Sequence, residues 1–250
     1  MRNIKSVKVQ IVMPAYNAAR TIKDTFYEIP KKYRENIILV DDKSTDNTIE
    51  VAKKLGIKVF THVQNLGYGG NQKTCYKEVL KENPDVVVML HPDYQYDGSL
   101  TRELIQPIID GRYDIMLGNR VHSRDQVISD GMPYYKYLGN RFLTIVENIA
   151  LGQNLPEWHS GFRAFKKEVL ENTPFQKFSN DFIFDQEILI SAINLNFRIG
   201  YLNVPCRYFS DASSIELKRS IDYGFATVML LIHYVLYKMG LVKDERFINR

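Results

Sequence analysis

The chain has 250 residues, 45% of them hydrophobic, enough to bury one large core with a small appended region. Its 33 Lys and Arg nearly balance 29 Asp and Glu, and no basic run or aromatic–basic stripe accompanies the small excess, which excludes nucleic acid as an expected partner. Cys75 and Cys206 lie far apart without metal-ligand spacing and read as free thiols of a reducing compartment. The segment Met1 to Lys8 is short and charged and lacks the apolar centre of a signal peptide, so a cytoplasmic setting is expected.

Short apolar runs alternate with helical stretches through the first half. Val7–Met13, Ile37–Val40, Lys58–Thr61, Val86–Leu90 and Asp114–Leu117 read as buried strands. Between them, Thr21–Tyr33, Thr48–Leu55, Gly69–Asn83 and Leu100–Gly111 carry helical spacing. This rhythm predicts an α/β fold with a mostly parallel sheet and helices on both faces. The second half predicts helices over Tyr134–Leu151, Arg163–Asn172 and Asp185–Leu195, then a strand over residues 199–205. Ser220–Leu241 is an apolar, aromatic helix close to the ~20 residues of a bilayer span. Asp222, His233 and Lys238 interrupt or bound it, which favours a packed or interfacial helix. The expected division is a catalytic domain over 1–219, with halves about 1–120 and 121–219, and a helical extension over 220–250.

Ligands bind open sheets of this kind beyond the C-terminal strand ends. After the first strand, Pro14-Ala15-Tyr16-Asn17 forms a proline–aromatic turn able to lay backbone and a ring against a flat base. After the second, Asp41-Asp42-Lys43-Ser44-Thr45-Asp46 carries three carboxylates. Asp46 suits a helix cap, whereas Asp42 ends a buried strand and suits a ribose, a base or a cation. Asn65-Leu66-Gly67-Tyr68-Gly69-Gly70-Asn71 opens a helix, and its glycines fit either a phosphate loop or a tight turn. The fourth strand runs into His91-Pro92-Asp93-Tyr94-Gln95, and Asp93 suits a divalent cation bridging a diphosphate. The fifth delivers Gly118-Asn119-Arg120, whose guanidinium fork suits a phosphate.

These stretches, with Ser160-Gly161-Phe162-Arg163, occur in an order that resembles family 2 glycosyltransferases, and specifically the polyprenyl-phosphate sugar transferases. The resemblance covers residues 7–210 and implies a GT-A fold and inverting transfer from a nucleotide diphosphate sugar. It implies Pro14, Tyr16 and Asp42 around the nucleotide, Asp93 and Gln95 at a divalent cation (Mg²⁺ or Mn²⁺), and Arg120 near phosphates of donor or acceptor. Asn17, Asn65, Gly67, Asn71 and His91 complete the expected nucleotide-sugar side. Where the family's lipid-phosphate members offer Arg and Ser to the acceptor phosphate, this chain has Lys136 and Asn140, on one helical face. His91 replaces a carboxylate of the family's metal motif, and imidazole suits Mn²⁺ better than Mg²⁺. A family Arg in the loop after the last strand aligns with Asp211, with Arg207 as a candidate substitute.

Trp158, Ser160 and Gly161 are expected on the acceptor side, where Trp158 either stacks on a sugar or packs in the core. Asp181, Asp185 and Glu187 either complement a helix N-terminus or supply Asp185 as the general base that a hydroxyl acceptor needs. Three readings therefore stand side by side: transfer to polyprenyl phosphate, transfer to a saccharide or other hydroxyl, and a non-catalytic nucleotide-sugar-binding module suggested by His91. The apolar C-terminal helix adds an expected partner, either a membrane surface or a membrane protein, and self-association into a homo-oligomer is a further expectation.

Overall fold

The computed structural model describes residues 7–121, 123–208 and 217–247. In chain order, the first half comprises β1 (Val9–Ala15), α1 (Ile22–Glu28), β2 (Ile37–Asp41), α2 (Thr48–Lys54), β3 (Lys58–Thr61), α3 (Gly67–Leu80), β4 (Val86–Met89), α4 (Thr101–Ile109) and β5 (Ile115–Asn119). The second half adds α5 (Arg124–Ser129), α6 (Tyr134–Leu151), β6 (Arg163–Lys166), α7 (Lys167–Asn172), α8 (Phe184–Asn194), β7 (Ile199–Asn203) and α9 (Leu217–Lys238).

One seven-stranded sheet has the order β3-β2-β1-β4-β6-β5-β7. Every pairing is parallel except those of β6, which runs antiparallel to both β4 and β5. Side chains alternate between two cores, as the two-residue period of a strand requires. Val12, Ile38, Val40, Val87 and Met89 face Cys75, Tyr76 and Val79 of α3 and the apolar side of α8. Ile11, Met13, Leu39, Val86 and Val88 face Ile22 and Phe26 of α1 and Leu104, Ile105 and Ile108 of α4. Strands covered on both faces read as continuous apolar runs, which is why β1, β2 and β4 stand out in the sequence.

Three expectations are corrected. The helix predicted from Arg163 begins only at Lys167, because Arg163-Ala164-Phe165-Lys166 is inserted as β6 between β4 and β5. Lys58–Thr61 is a strand but not a buried one: as the sheet's edge it leaves Lys58 and Thr61 exposed. The helix predicted over Thr21–Tyr33 stops at Glu28, since Pro30 cannot continue it, and a 3-10 stretch over Lys31–Asn36 follows.

Helix α6 keeps the predicted bounds. Pro133 precedes its first turn and Gly152, at φ +62°, ends it in the left-handed conformation that glycine adopts without penalty. Helix α9 packs against α6 and α8. Thr227, Leu230, Leu231 and Tyr234 face inward, while Ile221, Phe225, Met229 and Ile232 remain exposed. By length and composition alone, Lys218–Lys238 is also long and apolar enough to cross a membrane. A 3-10 turn over Glu245–Phe247 returns the chain to the core, with the Phe247 ring 5.1 Å from that of Tyr234.

Candidate active site

The parallel strands β1, β2, β4 and β5 end at one edge of the sheet, and their loops line a cleft of about 1370 Å³. The cleft opens where the connections from β1 and β4 diverge, the place at which such sheets bind ligands. Its walls include Pro14, Tyr16, Asn17, Asp42, Asn65, Gly67, Asn71, His91, Asp93, Gln95, Arg120, Lys136, Asn140, Gly161 and Asp185. Among the described residues, five non-glycine positions have positive φ, and three of them are Asn17, Lys43 and Tyr94 in the loops after β1, β2 and β4. Such conformations cost on the order of 1–3 kcal/mol and gather at functional sites, where the surrounding structure over-determines them.

On the β1–β2 side the polar residues hold the loops to one another. Asn17 donates its backbone N–H to Ser44 Oγ at 2.8 Å and accepts from the Thr45 N–H at 2.8 Å. Asp42 accepts from the N–H groups of Leu66 at 2.8 Å and Gly67 at 3.0 Å, and lies 2.7 Å from His62 Nδ1. Asn65 donates to the Asp42 carbonyl, and Asn71 to the carbonyls of Ala15 and Val40. The ring of Tyr16, by contrast, is 55% exposed, leaving a face open to a ligand. Asp46 stands one residue before the N-cap of α2, Asn47, and accepts from the N–H and hydroxyl of Thr48, the helix's first residue. Burial alone would raise its carboxyl, but hydrogen bonds from Thr48 and Ala19 hold it below the ordinary range.

The glycines of the third loop serve close approach, not a phosphate cradle. The Gly67 N–H is taken by Asp42 and Asn65, and those of Gly69 and Gly70 by the Asn180 carbonyl. A Cβ on Gly69 would stand 2.5 Å from the Ser179 carbonyl oxygen, so no larger residue fits there.

At the β4 end, Asp93 accepts the Gln95 N–H at 3.2 Å. The His91 ring stacks on Tyr68 with centroids 5.5 Å apart, and its Nε2 lies 3.3 Å from the Tyr68 hydroxyl. Burial lowers the His91 pKa, partly offset by the charges of Asp93 and Asp185, and keeps the imidazole neutral. No cluster of three or more His, Cys, Asp or Glu among the described residues could enclose a metal ion. A lone strand-end carboxylate fits a different site, one whose cation takes most of its shell from a substrate's phosphates and water.

At the far end, Arg120 is held by a residue that the sequence did not single out. Glu157, fully buried, accepts from Arg120 Nε at 2.8 Å and from the Arg120 backbone N–H at 2.6 Å. Asn140 also donates to Glu157, and Arg120 donates to the His159 carbonyl at 3.0 Å. Burial alone would raise the Glu157 carboxyl, but the Arg120 charge and hydrogen bonds hold it below the ordinary carboxylate range. Lys136 is depressed, first by burial and then by the positive charge of Arg120. Tyr68, His159 and Tyr208, which lie within or beside the motif stretches, also line the cleft, as do Arg219 and Tyr223, which nothing local in the sequence marks.

Three expected site residues lie elsewhere. Trp158 is fully buried and donates to Asn148 Oδ1 at 3.1 Å, so core packing and not sugar stacking is what it does. Ser160 is buried, 3.5 Å from the Tyr96 hydroxyl. Arg207 turns away to Glu28 at 2.7 Å and over the Tyr94 ring, because that carboxylate and that ring are its neighbours. Asp211 lies outside the described residues. Asp185 does line the cleft, yet its carboxylate is engaged by Arg163 at 3.1 Å, Gln72 at 2.9 Å and the Tyr68 hydroxyl at 2.8 Å.

Among known proteins, the chain is 27% identical over 253 residues to a UDP-N-acetylglucosamine–dolichyl-phosphate N-acetylglucosaminyltransferase of Methanococcus voltae, covering 94% of this chain and 98% of that one. It is 29% identical over 174 residues to a dolichol-phosphate mannosyltransferase of Pyrococcus furiosus, covering 66% of this chain and 48% of that one. The crystal structure of glucosyl-3-phosphoglycerate synthase from Mycobacterium tuberculosis, in complex with Mn²⁺, UDP-glucose and phosphoglyceric acid, superposes with a TM-score of 0.69 at 19% identity, over 96% of this chain and 82% of that one. This likeness shows the GT-A-like fold. The model of the family described as glycosyl transferase family 2 matches residues 10–173, the stretch that builds the sheet through β6 and most of the cleft's lining, and the chain belongs to that family of glycosyltransferases.

Proposed function

We propose that the chain transfers one sugar from a nucleotide diphosphate donor to a polyprenyl phosphate, in a single inverting displacement at the anomeric carbon. The observation that carries the acceptor is the cationic end of the cleft. Lys136, half-buried, stands close enough to Arg120 for that charge to depress it. Glu157 already pairs with Arg120, so Lys136 is the charge there that an anion would relieve, which a phosphate brings and a hydroxyl does not. Arg219 lines the same cleft and adds to the field there. The names of the Methanococcus and Pyrococcus relatives, both transferases to dolichol-type phosphates, support the same acceptor class.

The open ring of Tyr16 and the backbone at Pro14 suit a nucleobase, while Asp42, Asn65 and Asn71 keep the three loops in register around it. Asp93, with His91 and Gln95 beside it, is where a divalent cation would sit, and Mn²⁺ accompanies UDP-glucose in the mycobacterial synthase. When bound, such a cation neutralises charge on the departing nucleotide diphosphate. Lys136 and Arg120 orient the acceptor phosphate so that one of its oxygens faces the sugar. That oxygen is already ionised, so no proton has to be removed before it attacks. Asp185 is then not a base; its role is to hold Arg163, Gln72 and Tyr68 in place. Exposed apolar residues of α6 and α9 flank the cationic end and suit an enzyme resting on a membrane surface.

A panel of nucleotide sugars, with Mg²⁺ or Mn²⁺ and with or without a polyprenyl phosphate, tests the reading. Release of nucleotide diphosphate together with a β- or α-linked glycolipid of inverted configuration is expected for one donor. Transfer only to polyprenol or to a saccharide would overturn the acceptor, and a retained configuration would overturn the single displacement.

A further inference from the structure

Behind the acceptor end lies a buried polar chain that transfer, as described, does not use. Glu147 of α6 has no exposed surface, and its carboxylate oxygens have no hydrogen-bond partner. His159 Nε2 stands 3.2 Å from Glu147 Oε2. On its other side, His159 Nδ1 lies 2.9 Å from the hydroxyl of Tyr223, a residue of α9 that lines the cleft. Gln186 of α8, also fully buried, donates to the same hydroxyl at 2.8 Å. The His159 carbonyl in turn accepts from Arg120.

We propose that Tyr223 is a further acceptor-binding residue, a hydrogen-bond donor to the acceptor phosphate, and that the Gln186–His159 pair aims its hydroxyl into the cleft. His159 Nε2 faces the Glu147 carboxylate as its donor, which leaves Nδ1 as an acceptor. Gln186 Nε2 lies 2.8 Å from the Tyr223 hydroxyl and 3.1 Å from His159 Nδ1, so its two N–H groups serve both atoms and the Tyr223 proton is left for the cleft. Burial keeps the Tyr223 phenol pKa well above its ordinary value, so the hydroxyl remains a donor throughout. The groups facing this unit are Glu147 from α6, Gln186 and Asp185 from α8, Arg163 from β6, and Arg120 with its partner Glu157. The proposal rests on the phosphate-acceptor reading and supplies that site with a neutral donor from α9.

The test is calorimetric titration of the full chain with farnesyl phosphate, with farnesol as the uncharged control. Tyr223→Phe keeps the ring and removes one hydrogen bond to a charged group, so farnesyl phosphate should bind about tenfold or more weakly at pH 6. Circular dichroism should be unchanged. Gln186→Leu removes the donor that holds the hydroxyl and should weaken farnesyl phosphate binding by a comparable factor, whereas farnesol, which brings no charge, should bind wild type and both variants alike. Equal affinities of wild type and Tyr223→Phe for farnesyl phosphate would overturn the role of Tyr223, and full affinity in Gln186→Leu would overturn that of Gln186 and His159. Wild-type protein that binds farnesyl phosphate no better than farnesol would instead remove the phosphate-acceptor reading, and this proposal with it.

Discussion

Arg120 reaches the cleft as half of a buried ion pair, and the other half decides how rigidly it is presented. Glu157 accepts from its side chain and its backbone, so the guanidinium keeps donors for a ligand without being free to swing. Glu157→Gln leaves a buried cation uncompensated and should cost about 3–5 kcal/mol of stability at neutral pH. The sign of the pH dependence follows from the lowered carboxyl. Its contribution is complete above about pH 4.3, the unfolded value, and is lost as pH falls through the lower folded value. Thermal denaturation of both proteins between pH 3 and 7 should therefore show their stabilities converging at the acid end. A constant gap would mean that Glu157 acts through packing. Asp93 makes a second residue-scale prediction. It is the carboxylate beyond β4 where the proposed cation would sit, so Asp93→Asn should lower cation-stimulated transfer by a hundredfold or more, a loss of roughly 3 kcal/mol or more of transition-state stabilisation. Undiminished turnover in the variant, or in a chelator, would remove the metal. Asp93 was legible because it follows an apolar strand directly. Glu157 was not: its partner is 37 positions away, and no local pattern tells a buried carboxylate from a solvated one.

Among the elements, periodicity revealed those whose burial is set by their own residues. Strand β4 is apolar throughout and β1 and β2 nearly so, with Gln10 and Asp41 the exceptions, and α6 is bounded by Pro133 and Gly152. It failed at β6, where Arg163 is fully buried yet polar, satisfied by the carbonyls of Ser160, Trp158 and Asp185. A strand paid for by its neighbours' carbonyls has no signature of its own. Helices α6 and α9 carry the opposite anomaly, apolar residues facing out. Tyr135, Leu138, Phe142, Ile145 and Ile149 recur along α6 at helical spacing, and Ile221, Phe225, Met229 and Ile232 along α9. Scattered exposed apolar residues need no explanation, but two rows on packed helices beside the proposed acceptor site do. Replacing Phe142 and Phe225 with Asp, both being well exposed, should leave the fold intact and abolish flotation with liposomes. Flotation equal to wild type would show that this surface does not carry the protein to a bilayer.

At the scale of the molecule, the cleft joins parts that the chain supplies from both ends. The side proposed for the donor is built by β1, β2 and β4 in the first hundred or so residues, and its geometry is fixed by sheet register. The side proposed for the acceptor borrows Arg219 and Tyr223 from the start of α9, and the far end of that helix is anchored by the C-terminal turn. There Phe247 is fully buried against Tyr234 and Tyr237, Arg246 donates to Glu187 at 2.8 Å, and Asp244 lies 2.9 Å from His233. The anchor therefore bears on α9, the helix that carries Arg219 and Tyr223 to the cleft. Phe247→Ala removes a buried ring and should cost about 3–5 kcal/mol in chemical denaturation. Its kinetic effect should be one-sided: with α9 loosened, the KM for polyprenyl phosphate rises severalfold, whereas the dissociation constant of the nucleotide sugar, measured without acceptor, stays within about twofold. The more conservative Phe247→Leu should recover most of both losses, since it refills much of the cavity. Donor affinity that fell in step with acceptor affinity would show that the two halves respond as one body, and that the C-terminal turn stabilises the whole fold and does not set the acceptor wall.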